Sequence, residues 1–351
     1  MEREGKAHFG VYRVNRVALL ILGLLLVAVA TYKFNPLQKV MATVWHSRAQ
    51  AGVTLQGQDV SGKDAAALRQ IVQGMAEKYS QPAVDATADA AHKGAVVPDL
   101  SAAAVDVEKT VAGILQQPAN GRASLAFVEQ PASKTMADFK EAPVYAGNPA
   151  KPAVAFAIHV AGNQMKVPEM LQALKDSGVQ ATFFVSASWA EKNPDQLQAI
   201  VAAGHEVATR GYSDTILPGQ ASAADLSQDI AKGLDTISKL TGGAVAVQYY
   251  SPREGQIASA ATRAAFDKGL RTVMWSVDTA DWTDAKPEAM TNRIVRDAKK
   301  GSIVLMHPRT NTVAAVKDMI AGLEEKGLDV VPVSELISPR RYVGAATVSQ
   351  H

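Results

Sequence analysis

The alternation of hydrophobic and polar positions divides the chain into three stretches. The first centres on Val17 to Ala30, fourteen residues without a polar side chain. Arg3, Lys6, Arg13 and Arg16 precede it and Lys33 follows. A spanning helix needs about 20 apolar residues and a secretory signal core about 7–15, so this run sits between the two. Ala28-Val29-Ala30 has the small-x-small form of a cleavage site. A single-pass membrane anchor and a cleaved signal both remain open. The basic residues ahead of the apolar helix predict a cytoplasmic N-terminus, with everything after about Lys33 extracytoplasmic.

The second stretch, residues 35–149, is rich in Ala, Gln and Val. Ser61-Gly-Lys-Asp64 has the form of a capping box, and a helical period from Ala65 to Tyr79 follows it. Pro82 stops that helix. Val84 to Asp89 alternates as a strand does. Asp106 is placed to cap a second helix reaching about Leu115, ended by Pro118, and Ser124 to Val128 reads as a further strand. The pattern predicts a small α+β module. Pro131 to Pro152 holds four prolines, and its second half reads as a linker.

In the third stretch, residues 150–340, apolar strand-like runs alternate with helical ones. The strands read as Val154–Ile158, Ala181–Val185, Glu206–Thr209, Ala246–Tyr250, Thr272–Ser276, Ile303–Met306 and Leu328–Val331. Helical periods separate most of them, as in Pro168–Asp176, Pro194–Ala203, Ala223–Leu240, Gln256–Lys268 and Pro287–Lys299. Such alternation predicts an α/β fold with a parallel sheet covered by helices. Seven strands suffice to curl into a barrel, with chemistry at their C-terminal ends. Residues 341–351 form a tail, and residues 1–34 the cytoplasmic N-terminus with its anchor or signal segment.

Composition narrows the function classes. A chain of 351 residues with 47% hydrophobic and 20% charged positions is neither disordered nor collagen-like. Lys plus Arg number 36 against 34 acidic residues, a net charge of +2, so no basic excess points to nucleic acid. The absence of cysteine excludes disulfides, thiolate metal sites and a cysteine nucleophile.

The strings "VQATFFVSASWAEKNPDQLQAIVAAGHEVATRGYSD", "WSVDTADW" and "SIVLMHP", in this order, resemble the polysaccharide deacetylase (NodB-homology) family. The resemblance spans about Lys151 to Ile337. It implies a distorted seven-stranded β/α barrel and removal of acetyl groups from peptidoglycan, chitin or related glycans. The preceding strings "VTLQGQDVSGKD", "VVPDL" and "VDVEKTV" resemble peptidoglycan-binding-type modules. In the family, a metal, usually zinc, is held by one Asp and two His spaced i and i+4. It polarises the acetyl carbonyl and activates a water. A second Asp acts as base, an Arg orients it, and a later His protonates the leaving amine.

Each role meets a different residue here. The first family motif falls on Ala157-Ile158-His159-Val160-Ala161, with His159 at the base position and Val160 at the ligand position. Valine binds no metal. An imidazole of ordinary pKa, about 6.5, is a competent base, and equally a hydrogen-bonded residue at a strand end. The two metal-His positions hold Arg210 and Asp214. Arg210 is a permanent cation that repels a metal; Asp214 is a weak candidate ligand, and the two together predict an ion pair filling the pocket. One ligand position of three survives, where zinc takes three or four protein ligands. His205, in "GHE", is structural in the family. The orienting Arg has become Ser251, with Arg253 two residues on.

The remaining motifs are intact. Asp278-Thr-Ala-Asp281-Trp282 supplies an Asp to tune the acid and a Trp to line a sugar groove. Leu305-Met306-His307 places His307 at the acid position. The same Asp–His pair also serves simply to tie two strand ends. Tyr212, Tyr250 and Trp189 are further stacking candidates, though sparse aromatics are more often core.

Three functions are compatible with these residues. One is a barrel that binds wall glycan with its metal catalysis impaired or lost, and so no cofactor. Another is an active zinc-dependent N-acetyl glycan deacetylase with a site rebuilt from His159, Asp214 and His307. The third is a structural wall-facing protein whose first module does the binding. Cell-wall glycan is the expected partner, with the cytoplasmic membrane engaged through the N-terminal segment.

Overall fold

A computed structural model describes residues 47–163 and 165–341. The apolar run Val17–Ala30 and the tail after Arg341 lie outside the described residues. Among the described residues, no helix is long and apolar enough to cross a membrane. The chain forms two compact units. One holds the described residues through Tyr79 together with Val105–Phe127, and the other holds Ser80–Ala104 with the described residues from Val128 on.

The first unit is α+β. Its helix Ala65–Tyr79 has the expected bounds, but the cap differs. Asp64, not Ser61, accepts a free helix amide, that of Ala67 at 2.9 Å. Ser61 instead bonds Asp59 and accepts the Gly52 amide at 2.8 Å. The helix Val107–Leu115 starts on Asp106, whose carboxylate accepts from Lys109. Leu68 and Val72 of one helix meet Val111 and Ile114 of the other over Val53, Leu55 and Val60. Thr54–Leu55 pairs antiparallel with Gln58–Asp59 and parallel with Arg122–Ala123. The strand expected at Ser124–Val128 is displaced, because the Ala126 amide bonds the Thr110 hydroxyl rather than a ladder.

In the second unit, eight short strands carry the fold: β1 Ala153–Val160, β2 Thr182–Val185, β3 Glu206–Thr209, β4 Tyr249–Tyr250, β5 Arg271–Thr272, β6 Val277–Asp278, β7 Ile303–Met306 and β8 Asp329–Val331. Along the sheet they run β5-β4-β3-β2-β1-β7-β6, and β8 pairs with the first half of β1. All these pairings are parallel. The segment expected as one strand, Thr272–Ser276, is a crossing instead. Its flank Arg271–Thr272 bonds β4 and its other flank Val277–Asp278 bonds β7, so residues 271–278 join the two ends of the sheet. The result is a distorted seven-stranded β/α barrel, with 271–278 counted once.

Strand β1 explains where the core lies. All eight of its residues are buried. Val154, Phe156, Ile158 and Val160 pack outward among Met170, Leu174, Met319 and Leu323 of the covering helices. Ala153, Ala155 and Ala157 face the barrel interior with Phe184, Ala208 and Tyr249. Period-two alternation therefore sends His159 inward and Val160 outward. The helix Thr310–Glu325 completes the outer layer through Val316, Met319 and Ile320. Lys151, 2% exposed, fastens the last helix by donating to the carbonyls of Glu335 and Ser338 at 2.6 and 2.7 Å.

Candidate functional site

The C-terminal ends of β1, β3, β6 and β7 surround a cavity of about 630 Å³. His159, Arg210, Asp214, Asp278, Trp282 and His307 all line it, so the barrel gathers most of the residues singled out by sequence. Arg253, Arg309 and Trp275 join them. Val160 does not; it belongs to the outer core.

The wall carrying His307 is tied together by one buried carboxylate. The Asp281 carboxylate is 3% exposed and receives three hydrogen bonds. They come from the His307 ring Nδ1–H at 2.8 Å, the His307 amide at 2.6 Å and the Thr312 hydroxyl at 3.0 Å. Burial works to raise the Asp281 pKa, but the hydrogen bonds and charge of His307 outweigh it and hold it below the usual carboxylate range. Because the carboxylate accepts at Nδ1, the ring carries its proton there and Nε2 is the free nitrogen. Asp281, not Asp278, is thus the partner of the histidine. Asp278 accepts the Ala280 amide at 2.7 Å and shapes the turn, which holds Ala280 at φ +54°. A left-handed alanine costs on the order of 1 kcal/mol, which the Asp281 network offsets. Trp282, at 62% exposure, stands open at the cavity wall.

The opposite wall keeps buried polar atoms without partners. His159 is 2% exposed and sits among the rings of Phe184, Trp275 and His307, with centroids 5.2, 5.5 and 5.9 Å away. Its Nε2 has no hydrogen-bond partner. Burial first, then the charges of Arg210 and His307, push its pKa well below the ordinary imidazole value. It is therefore a neutral ring and a weak base. The buried Nε of Arg210 is also unpartnered. The ion pair expected between Arg210 and Asp214 does not form. Asp214 instead accepts from the Gly162 amide at 3.2 Å and the Ser188 hydroxyl at 3.3 Å. Burial depresses the Arg210 pKa, and the Asp214 charge acts against that without closing to contact. Ser251 is 1% exposed, with its hydroxyl unpartnered. Arg253 does not take over orientation of a base. Its guanidinium is committed to Glu254 at 3.1 Å and to the Asp214 carbonyl.

The other aromatic candidates lie elsewhere. Tyr250 is 3% exposed and packs with Ala261, Ala264 and Leu270, so its ring is core and not a stacking face. Trp189, also 3% exposed, belongs to the outer core. Tyr212 lines a neighbouring cavity of about 430 Å³, with its hydroxyl on Glu191 and the Lys232 ammonium 3.3 Å from its ring centre. His205 accepts the Ala181 amide at 3.2 Å, a structural role. Sequence reasoning missed the wall residue Arg309, and it also missed Trp275. Trp275 lies in the crossing between β5 and β6, where strand alternation gives no facing.

The donor set does not fit zinc. Among the described residues, no group of three His, Cys, Asp or Glu is placed to hold a metal ion. Arg210 puts a cation at the same cavity, and Val160 offers no donor and packs in the outer core.

A family profile described as polysaccharide deacetylase matches residues 149–273. A peptidoglycan-N-acetylglucosamine deacetylase of Bacillus cereus is 30% identical over 176 residues, covering 48% of this chain and 81% of its own. The chain belongs to the polysaccharide deacetylase family. The uncharacterized protein YlxY of Bacillus subtilis is 28% identical over 247 residues, 70% of this chain and 76% of its own. The crystal structure of BA3943 from Bacillus anthracis, described as a CE4 family pseudoenzyme, is similar with a TM-score of 0.69 and 29% identity. The match covers 78% of this chain and 96% of that one. A mutant of BA3943 described as having restored enzymatic activity is similar with a TM-score of 0.68 and 28% identity, over 78% and 99% of the two chains.

Proposed function

We propose that this chain is an extracytoplasmic member of the family that binds wall glycan and no longer performs metal-assisted deacetylation. The carrying observation is Arg210, a guanidinium set with an unpartnered nitrogen where the family motif has a metal-binding histidine. Amide hydrolysis needs an activated water as well as a proton donor. The His307–Asp281 pair supplies a donor for a leaving amine once Nε2 has taken up a proton, and nothing on the His159 wall activates the water. The likeness to a protein described as a pseudoenzyme supports the same reading. Glycan binding draws support from the open face of Trp282 and from relatives named as peptidoglycan and chitooligosaccharide deacetylases. The apolar run near the N-terminus supports a position facing the wall, held by or released from the membrane.

One observation favours the alternative of an active deacetylase: the His307–Asp281 geometry is that of a working acid. Incubating the full chain with acetylated chitin and peptidoglycan oligomers separates the two. The expected result is binding by calorimetry with no acetate release above the protein-free rate. Enzyme-like acetate release that disappears in His307→Ala overturns the proposal.

A further inference from the structure

Three residues that line one cavity each hold a buried polar atom without a partner: His159 Nε2, Arg210 Nε and Arg309 Nε. Buried polar groups are satisfied in more than about nine cases in ten, so three such side chains around one cavity point to a ligand that settles them. All three belong to cations or to a neutral imidazole, and the nitrogens of the guanidinium groups only donate. The cavity wall also carries Asp214, Glu254 and Asp278, but each is engaged elsewhere. Asp214 takes the Gly162 amide and the Ser188 hydroxyl, Glu254 takes Arg253, and Asp278 takes the Ala280 amide. No carboxylate of the described residues lies within ion-pair distance of Arg210 or Arg309.

We infer that this cavity is an anion site in which Arg210, with His159 and Arg309 beside it, takes a carboxylate carried on a sugar ring. The inference rests on the glycan-binding reading above and names the chemistry of the glycan. The planar guanidinium offers parallel N–H groups that match a carboxylate's two oxygens. Three arginines against three carboxylates leave the wall without a large positive excess. A monoanion therefore suits it better than a phosphate dianion. A cation fixed in the protein stands where the family motif places metal ligands, and it attracts the charge that a metal would have polarised. Trp282, exposed at the same cavity, provides the face for the sugar ring.

Calorimetric titration of the full chain tests this. The probes are N-acetylmuramic acid, which carries its carboxylate on a lactyl group, and glucuronic acid, which carries it on the ring. N-acetylglucosamine and glucose are their neutral counterparts, and inorganic phosphate is a fifth probe. At least one acid is expected to bind about tenfold more tightly than its counterpart, and which one does identifies the source of the carboxylate. Arg210→Gln is expected to erase the preference. Arg210→Lys, which keeps the charge and loses the fork, is expected to lose most of it. Arg263→Gln, at a surface arginine paired with Glu141, is expected to retain it. Equal binding of acid and neutral sugars overturns the anion site and leaves glycan binding standing. No binding of any sugar overturns both. Phosphate binding tighter than either acid overturns the assignment to a carboxylate, and so does full preference in Arg210→Lys.

Discussion

The two walls of the cavity are built from the same kind of strand ends and differ in how their polar atoms are satisfied. On one wall Asp281 binds the His307 ring, the His307 amide and Thr312, linking β7, the 281–283 turn and the helix Thr310–Glu325. On the other, His159 and Arg210 each keep a buried polar atom without a partner. The first wall is a structural tie whether or not it ever transfers a proton. The second has no such duty, because Val160 packs outward and the Arg210 side chain bonds no protein group. An intact acid is therefore weak testimony for catalysis, while the chemistry of the metal wall speaks directly to it.

The largest effect is expected from rebuilding the second wall. Combining His159→Asp, Val160→Asp, Arg210→His, Asp214→His and Ser251→Arg supplies base, two ligands and orienting cation together, and the Asp at position 160, a carboxylate disfavoured in the apolar outer core, completes the set by turning into the cavity. Elemental analysis is expected to show zinc bound by the combined variant and none bound by Arg210→His alone, since two ligands leave a site empty and such roles are strongly non-additive. Adding His307→Ala is expected to abolish any acetate release gained. A combined variant that folds and takes up no metal would mean the strand ends no longer converge on a metal-sized space.

Next comes the cost of breaking the bonded wall. Asp281→Ala leaves two His307 donors and the Thr312 hydroxyl without their acceptor, and is expected to cost about 2–4 kcal/mol in urea unfolding. A change under about 0.5 kcal/mol would show that the network carries no stability. By contrast, His159→Leu removes a buried nitrogen that bonds nothing. It is expected to change stability by less than about 1 kcal/mol, or to raise it.

The smallest effect is in pH dependence. Asp281 has a folded pKa below its unfolded value, so its contribution is fully present above the unfolded value, about 3.9, and is lost as pH falls through the folded one. Wild-type protein is therefore expected to lose stability more steeply below about pH 4 than Asp281→Asn, measured as urea midpoints across that range. Equal slopes would remove Asp281 from the acid limb.

Much of the barrel was legible in the sequence. Ala223–Leu240, Glu206–Thr209 and Ile303–Met306 have the bounds expected from their periods. A long amphipathic helix announces itself, and Ser222 caps its start by accepting from Asp225. The crossing 271–278 was not legible, because a period of two says which residues face inward but not which neighbour each end bonds. The choice between Asp278 and Asp281 was closed for the same reason: both stand near one strand end, and only the turn decides. The Arg210–Asp214 pair misled because a spacing of four fixes distance only on a helix. Here Gly211, at φ +89°, turns the chain between them, and any Cβ on it would meet the Asp229 carboxylate at 2.0 Å. His159 and Val160 were found as residues, but their opposite facings needed the strand.

The most direct measurement is the zinc content of the full wild-type chain after purification and exhaustive dialysis. With Val160 outside the cavity and the Arg210 cation within it, the expected result is well under one zinc per chain. One tightly held zinc per chain would contradict the loss of the metal wall and restore the reading of an active deacetylase.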